Sequence, residues 1–330
     1  MKHNRKLAML GAAVGIFLLI IDGQTALTGA SEGIELCMRT VIPSLFPFFV
    51  LSSVLTSSLL GTSIGFLSPI LEWIGVPRGA ESLLLTGFLG GYPVGAQNVS
   101  SANHSGVLSK STAERMLAFC NNAGPSFLFG MIGPVFPNRW MVWALWGIHI
   151  FGALCAALII PSMDEKDIRM DNRNAMNLSG AVTSSIRVMG TVCGWIVLFR
   201  VVIAFMNRWF LWLLPTVFQV CVTGFLELAN GCCSLTLIDD VNLRFVICSG
   251  MLALGGICVT MQTVSVAQGL SLRNYFLGKL IQTAFSLFAA ILLCYADTLH
   301  NYFYLIILIV PAVLLLKMGK KRCIRAKSIV

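Results

Sequence analysis

The sequence predicts an all-α polytopic membrane protein. Of its 330 residues, 57% are hydrophobic and 11% are charged, and the mean hydropathy is +0.83. This composition excludes a soluble globular domain and a disordered chain. Apolar windows of bilayer-spanning length recur along the chain, and basic residues gather at both ends. We therefore expect helices that cross a membrane several times.

The apolar windows place eight spanning helices and two broken segments. The eight windows lie at about 7–27, 41–60, 115–135, 140–160, 183–205, 244–264, 274–295 and 300–316. The broken segments, at about 82–102 and 208–235, contain Gly, Pro, Asn or Glu, and this pattern predicts re-entrant hairpins that enter the membrane and return. The first window also resembles a signal peptide, so cleavage is the alternative to a first spanning helix.

The basic residues orient the helices. Cytosolic flanks of membrane helices are rich in Lys and Arg, and a cytosolic N-terminus leaves only Arg39, Arg139, Arg208 and Arg244 on the far side. An even number of spans returns the basic tail to the cytosol. Arg187 and Lys279 are expected to snorkel to the cytosolic interface. Because the charges flank apolar helices, nucleic-acid binding is not expected.

The pattern of broken segments predicts two repeats of opposite orientation. Gly87-Phe88-Leu89 precedes the first break and Gly224-Phe225-Leu226 precedes the second. Inverted repeats with paired broken helices are typical of secondary transporters. The expected domains are an N-terminal helix (1–30), a first repeat (31–161) with its hairpin, a cytosolic loop (162–181), a second repeat (182–298) with its hairpin, and a last helix with the polybasic tail (299–330).

Helix breaks in the first repeat supply candidate substrate-binding groups. Broken helices expose unpaired N–H groups that attract anions, and nearby amides and a phenol add donors. The candidates are Gly91, Tyr92, Pro93, Asn121, Asn122 and Ser126, with Gln97 and Asn98 at the cytosolic mouth of the hairpin. The alternative for the amides is that they only satisfy backbone groups freed by the break.

The second repeat adds a carboxylate and three further polar candidates. Glu227 is the only acidic residue of the second hairpin, and a carboxylate at membrane depth is costly unless it is paired, protonated or bound to a cation. Since it would repel an anion, we expect a role in coupling or gating. The other candidates for substrate binding are Asn230, Gln262 and Arg200, each of which has helix packing or snorkelling as its alternative role.

No catalytic or metal-binding pattern is present in the sequence. Of the four His residues only His149 falls within a predicted span, and there is no GxSxG, HExxH or phosphate loop. Cys232 and Cys233 are adjacent but lack a third ligand nearby. We therefore expect neither an enzyme nor a cofactor, and only a coupling proton or cation remains open.

Five blocks of sequence carry a family resemblance. They are Ile42–Phe48, Gly90–Ala96, Ala118–Pro125, Gly224–Glu227 and Gly255–Gln262. In these blocks the chain resembles the YlbJ-like sporulation integral membrane proteins, which carry the nucleoside-recognition Gate domain related to concentrative nucleoside transporters. The resemblance covers most of the chain. It departs from the nucleoside transporters at Gly90–Pro93, where those proteins have a Gln-Thr-Glu cluster.

The resemblance implies a role in endospore formation. The family is thought to carry dipicolinate from the mother cell across the outer forespore membrane, so a multi-pass protein of that membrane is expected. The leading hypothesis is a secondary transporter of a small anionic aromatic solute, with the lipid bilayer as its other partner and a homo-oligomer left open. The alternatives are a cation-coupled carrier of nucleosides or other small metabolites, and a membrane scaffold of the spore envelope that transports nothing.

Overall fold

The described part of the protein is all-helical. The computed structural model describes residues 2–161 and 177–295, and no β-strand occurs in these two ranges. The predicted helix at 300–316, most of the loop 162–181 and the tail from 299 onwards lie outside the described residues. The all-α fold class is confirmed for the described ranges.

Fourteen α-helices lie in the described part of the chain. Those before the loop are α1 (Lys2–Ile21), α2 (Gly23–Leu36), α3 (Ile42–Leu59), α4 (Ser68–Trp73), α5 (Glu81–Gly90), α6 (Val94–His104), α7 (Lys110–Cys120) and α8 (Arg139–Ile159). Those after it are α9 (Leu178–Trp209), α10 (Thr216–Leu226), α11 (Leu228–Ser234), α12 (Val241–Leu254), α13 (Gly256–Val266) and α14 (Arg273–Tyr295). Two π-helical segments, π1 (Cys37–Val41) and π2 (Ser126–Ile132), complete the regular structure together with short 3₁₀ turns.

Five helical stretches within the described residues are long and apolar enough to cross a membrane. They are Gly23–Leu59, Arg139–Ile159, Leu178–Trp209, Val241–Val266 and Arg273–Tyr295. These stretches support a polytopic membrane protein. The window predicted at 115–135 is not one helix, because α7 ends at Cys120 and π2 begins at Ser126.

The predicted N-terminal span at 7–27 is wrong at its far end. Helix α1 ends at Ile21, and the Asp22 carboxylate accepts hydrogen bonds from the Thr25 backbone N–H (3.2 Å) and hydroxyl (2.8 Å). An Asp in this position caps a new helix, so it ends the old one. Helix α2 then continues through π1 into α3, whereas the sequence predicted a helix only from about 41.

Glycines close the first helical hairpin, which α5 and α6 form around the turn Gly91–Pro93. Gly87 lies before the turn and Gly95 after it, and both pack directly against the Cys120 carbonyl at the end of α7. A Cβ on either glycine would overlap that carbonyl oxygen. The break predicted within 82–102 is therefore a hairpin whose two arms hold the end of α7.

The second hairpin consists of α10 and α11 and turns at Glu227. Gly224 and Gly231 lie against each other across it, and Gly256 packs against the carbonyl oxygens of Gly224 and Phe225. Small residues permit such close backbone contact in membrane helices. The end of α12 and the start of α13 are thereby held at the hairpin turn.

Both halves of the chain have the same order of elements. In each half a helical hairpin is followed by a helix, then, after a break, by a second helical segment and a long helix. These elements are α5–α6, α7, π2 and α8 in the first half, and α10–α11, α12, α13 and α14 in the second. The packing is reciprocal, because α6 contacts α13 while α11 contacts π2. The breaks of both halves consequently lie together at the centre.

Adding a methyl group at Gly95 tests this packing. Gly95→Ala should lower the unfolding free energy by about 2 kcal/mol, because overpacking a rigid backbone contact costs roughly that amount. The measurement is the apparent thermal unfolding midpoint of the purified protein in detergent. Gly147→Ala in α8, where a Cβ meets nothing within 4 Å, is the matched control and should leave the midpoint unchanged or raise it. Equal midpoints for both variants would contradict the packing described.

Candidate functional site

Four helix breaks surround one central cavity. Its lining includes Gly91 and Tyr92 from the first hairpin turn, Ala123 and Gly124 after α7, Glu227 to Ala229 of the second turn, and Val259 and Gln262 of α13. The remaining side is lined by two residues of π2, two residues of α9, and Thr40, Val41, Ser44 and Leu45. The cavity has a volume of about 40 Å³, which is room for water but not for an aromatic solute.

Glycines at the breaks allow the backbone to turn where the helices end. Gly91 has φ +81° and Gly255 has φ +79°, a region that favours glycine. Gly124 fits against Gly91 so closely that a Cβ would lie 2.9 Å from the Gly91 nitrogen. Gly91 lines the cavity, and Pro93 precedes the first residue of α6.

Tyr92 connects the two halves at the cavity wall. Its hydroxyl donates to the Leu252 carbonyl near the end of α12 (2.9 Å) and accepts from the Lys279 ammonium (3.2 Å). The first hairpin turn is therefore joined to a helix end of the second half by a single side chain. Tyr92 also lines the cavity.

Lys279 is buried, and the expectation that it snorkels to the interface is wrong. Its ammonium donates to the Asn121 carbonyl (2.6 Å), to Gln282 Oε1 (2.9 Å) and to the Tyr92 hydroxyl, and the residue is 2% exposed. Helix α14 packs against α7, α8 and α12, so this face of the helix cannot reach the membrane surface. Lys279 is the functional candidate that sequence windows missed.

No acidic residue in the described ranges forms an ion pair with Lys279. All three N–H donors of the ammonium are taken by neutral oxygens, and the ring centroids of Tyr92 and Tyr275 lie 5.0 and 5.9 Å from the nitrogen. Aromatic faces stabilise a cation but do not neutralise its charge. Within the described ranges the Lys279 ammonium therefore has no counter-ion.

Asn121 and Asn122 satisfy the break after α7 and bond to the second half. Asn121 donates to Thr263 Oγ1 (2.9 Å) and accepts from the Ala96 N–H (3.3 Å). Asn122 donates to the Phe119 carbonyl (2.6 Å) and accepts from Gln282 Nε2 (3.0 Å). Both are fully buried, and neither lines the cavity. Their contacts fit the alternative that the sequence left open, in which the amides pair with freed backbone groups.

His149 belongs to the same network. Its Nε2 accepts a hydrogen bond from the Ala123 N–H (3.0 Å), and Gln282 Nε2 donates to its backbone carbonyl (3.1 Å). A ring nitrogen that accepts from an N–H is unprotonated, so this histidine is neutral. The available signal in the sequence was that His149 is the one histidine within a predicted span.

Glu227 occupies another wall of the cavity as the N-cap of α11. Its two carboxylate oxygens accept from the backbone N–H groups of Ala229 (3.0 Å) and Asn230 (2.6 Å). The residue is buried. A carboxylate in this position stabilises the helix start, so Glu227 has a structural role in addition to the coupling role expected from the sequence.

Arg200 and Asn230 lie together, but outside the cavity. One Arg200 N–H donates to Asn230 Oδ1, and another pairs with Glu32 Oε2 at 2.5 Å. Both Arg200 and Asn230 line a separate groove that also includes Thr223 and Gln219. The structure therefore divides the candidates predicted for the second half between two spaces, because Gln262 faces the cavity.

The remaining predicted residues do not meet at the cavity. Gln97 donates to Ser184 Oγ (3.0 Å) on α9, and Asn98 donates to Thr56 (2.9 Å) and Thr86 (3.3 Å). These bonds hold α6 against its neighbours. Ser126 begins π2, and its buried hydroxyl has no hydrogen-bond partner among the described residues.

The comparisons with known proteins agree with the family resemblance. The chain is similar to the sporulation integral membrane protein YlbJ of Bacillus subtilis (strain 168), with 25% identity over an alignment that covers 84% of this chain and 80% of the relative. This similarity supports the assignment of the chain to the YlbJ-like family. No family model matches the chain, and no solved structure is similar to it.

Replacement of Tyr92 by Phe tests how much its hydroxyl, as distinct from its ring, contributes to stability. Tyr92→Phe should lower the unfolding free energy by about 1–2 kcal/mol, because the Leu252 carbonyl and the Lys279 ammonium each lose a partner. Tyr275→Phe is the control, since the Tyr275 hydroxyl has no hydrogen-bond partner in the described ranges, and it should change stability little. Thermal unfolding in detergent measures both. A larger loss for Tyr275→Phe would contradict the network.

Proposed function

We propose that this YlbJ-like protein is a secondary transporter of a small anionic aromatic solute. Dipicolinate, carried from the mother cell towards the forespore, is the solute that the family resemblance implies. One observation carries the proposal. The buried ammonium of Lys279 contacts Tyr92, which lines a cavity where four helix breaks meet. No acidic residue of the described chain pairs with this ammonium.

A buried charge without a counter-ion is costly and is kept where function needs it. The ammonium of Lys279 is hydrogen-bonded only to neutral oxygens. A carboxylate that enters the cavity would therefore be attracted to it more strongly than these neutral groups are. In a water-poor site a charge-assisted interaction of this kind is strong. The Tyr92 ring at the same wall offers an apolar face for an aromatic solute.

The volume of the cavity suits an occluded stage of transport. A space of about 40 Å³ admits an aromatic solute only if the helices around it separate. The hydrogen bonds that join the two halves here would have to change, among them Tyr92 with Leu252, Asn121 with Thr263 and Gln282 with Asn122. Reciprocal packing of α6 with α13 and of α11 with π2 supports two inverted halves that rock about this point.

Glu227 is the proposed coupling residue. Its carboxylate lines the cavity on a different wall from Tyr92 and would repel an anionic solute while it is charged. A proton or a cation bound at Glu227 removes that repulsion. Solute binding and coupling-ion binding would then favour each other, which is the requirement for symport.

The cellular setting follows from the family and is part of the proposal. The similar protein of Bacillus subtilis is a sporulation integral membrane protein by name, and the apolar helices fit a multi-pass protein. We place this chain in the outer forespore membrane with both termini in the cytosol, as the basic residues of the sequence indicate.

Removal of the Lys279 charge tests the proposal. In proteoliposomes, Lys279→Met should lower the initial rate of dipicolinate flux at least thirtyfold, because losing a buried charge contact costs about 2 kcal/mol or more. Arg187→Gln, which removes an exposed charge on α9, should leave the flux near wild type. Equal insertion of all variants is verified by protease protection.

The same assay separates the alternatives. Saturable dipicolinate flux that Lys279→Met retains in full would overturn the role of the lysine. Flux of nucleosides without flux of dipicolinate would favour the nucleoside carrier. If neither solute moves under proton, sodium or potassium gradients, the membrane scaffold becomes the better explanation.

The coupling role of Glu227 has a separate test. Glu227→Gln keeps an oxygen to cap α11 but can no longer bind a proton or cation, so dipicolinate exchange should persist while accumulation driven by an ion gradient is lost. The measurement compares the two modes in one batch of proteoliposomes. Accumulation at the wild-type level in this variant would assign Glu227 to capping alone.

A further inference from the structure

A polar groove leads from the protein surface to the outer side of α11. Its outer part has a volume of about 560 Å³ and its inner part about 310 Å³, and Asn207 and Trp212 line both. The outer part runs along the polar face of α2, with Thr28 and Glu32. The inner part ends at Arg200 and Asn230. Unlike the central cavity, this space accommodates an aromatic solute.

Residues of helix α11 line both the groove and the cavity. Asn230 lines the groove, whereas Leu228 and Ala229 of the same short helix line the cavity. The groove therefore approaches the proposed transport site from one side and ends at the hairpin that forms its wall.

The inner end of the groove is rich in unused hydrogen-bond donors. A guanidinium has five N–H groups, and within the described residues Arg200 uses one for Asn230 Oδ1 and one for Glu32, which leaves three. The Asn230 side-chain nitrogen, on a residue that is 7% exposed, has no partner there either. Buried amides without a partner are rare, so this nitrogen itself points to a ligand.

The charge of the groove favours an anion. Its charged lining residues are Arg200, Arg208 and Glu32, two positive and one negative. A planar guanidinium matches a carboxylate with two parallel hydrogen bonds, and the Trp212 indole supplies an apolar wall for a ring. Glu32, which is about half exposed, is a weak competitor for Arg200.

We infer that this groove is the path between the cavity and the side of the membrane opposite the cytosol, and that Arg200 and Asn230 bind the carboxylate of a small aromatic solute on that path. The inference rests on the proposed function. A carboxylate at this position accepts from the unused N–H groups of Arg200 on α9 and from the Asn230 amide nitrogen on α11. Binding in the groove would thereby join α9 to the second hairpin.

Calorimetric titration of the purified protein with sodium dipicolinate at low ionic strength tests the inference. Arg200→Gln should raise the Kd at least tenfold, whereas Glu32→Gln, which frees Arg200 from its competitor, should lower the Kd about threefold. Arg187→Gln on the same helix is the control for loss of a charge and should leave the Kd unchanged. Because one variant gains affinity, misfolding cannot account for the expected pattern.

Three results would overturn the groove site. They are no binding by the wild type up to millimolar dipicolinate, a Kd of Arg200→Gln within twofold of wild type, and a weakening by Glu32→Gln equal to that by Arg200→Gln. The last result would mean that the ion pair only joins α2 to α9.

Flux measurements separate this inference from the proposed function. Arg200-dependent binding without any flux in proteoliposomes supports the groove site and overturns the transporter. Normal flux with an unchanged half-saturation concentration in Arg200→Gln, beside lost flux in Lys279→Met, supports the transporter and overturns the groove site.

Discussion

The absence of water from the hydrocarbon core is the constraint on which this structure depends. Every backbone group freed by a helix break must find its partner inside the protein. The partners come from neighbouring breaks and from α8 and α14: Lys279 takes the Asn121 carbonyl, Tyr92 takes the Leu252 carbonyl, and His149 takes the Ala123 N–H. The breaks therefore have to lie together. Tyr92 and Lys279 therefore belong both to the network that satisfies the backbone and to the proposed transport site.

Close packing at glycines allows the helix breaks to lie next to one another. Gly278 on α14 lies so near the Ala118 carbonyl that a Cβ would overlap it, and this contact holds Lys279 against the end of α7. Gly29 and Gly33 do the same for α2 and α9, where a Cβ would lie 2.8 Å from Ala204 and 2.9 Å from Val197. In membranes, where helices gain little from burying apolar surface, such contacts are a main source of association. The positions of Lys279 and of the groove thus depend on these glycines.

The sequence predicts where the backbone breaks its helices, but not where the side chains lie in the tertiary structure. The hairpin at Gly91–Pro93 and the breaks at Asn121 and Gly255 were predictable because Gly, Pro and Asn act on their own backbone. Helix α2 was missed because Gln24, Thr28 and Glu32 lower its mean hydropathy, although these side chains face a groove. Lys279 was misplaced because a window average carries no information on which face of α14 packs inward. Gln97 and Asn98 look like site residues in sequence but bond to neighbouring helices.

The placement of the two buried charges bears on mechanism. Had Lys279 and Glu227 formed a direct ion pair, each would neutralise the other, and separating them would oppose every conformational change. Instead, Lys279 is bound by neutral oxygens behind the Tyr92 wall, and Glu227 is bound by the backbone N–H groups of α11. Neither charge therefore has a counter-ion among the described residues. In the proposed cycle an anionic solute neutralises Lys279 and a cation neutralises Glu227. The loaded protein therefore changes conformation with less unpaired buried charge than the empty protein. This difference favours the conformational change of the loaded protein and so couples the solute to the cation.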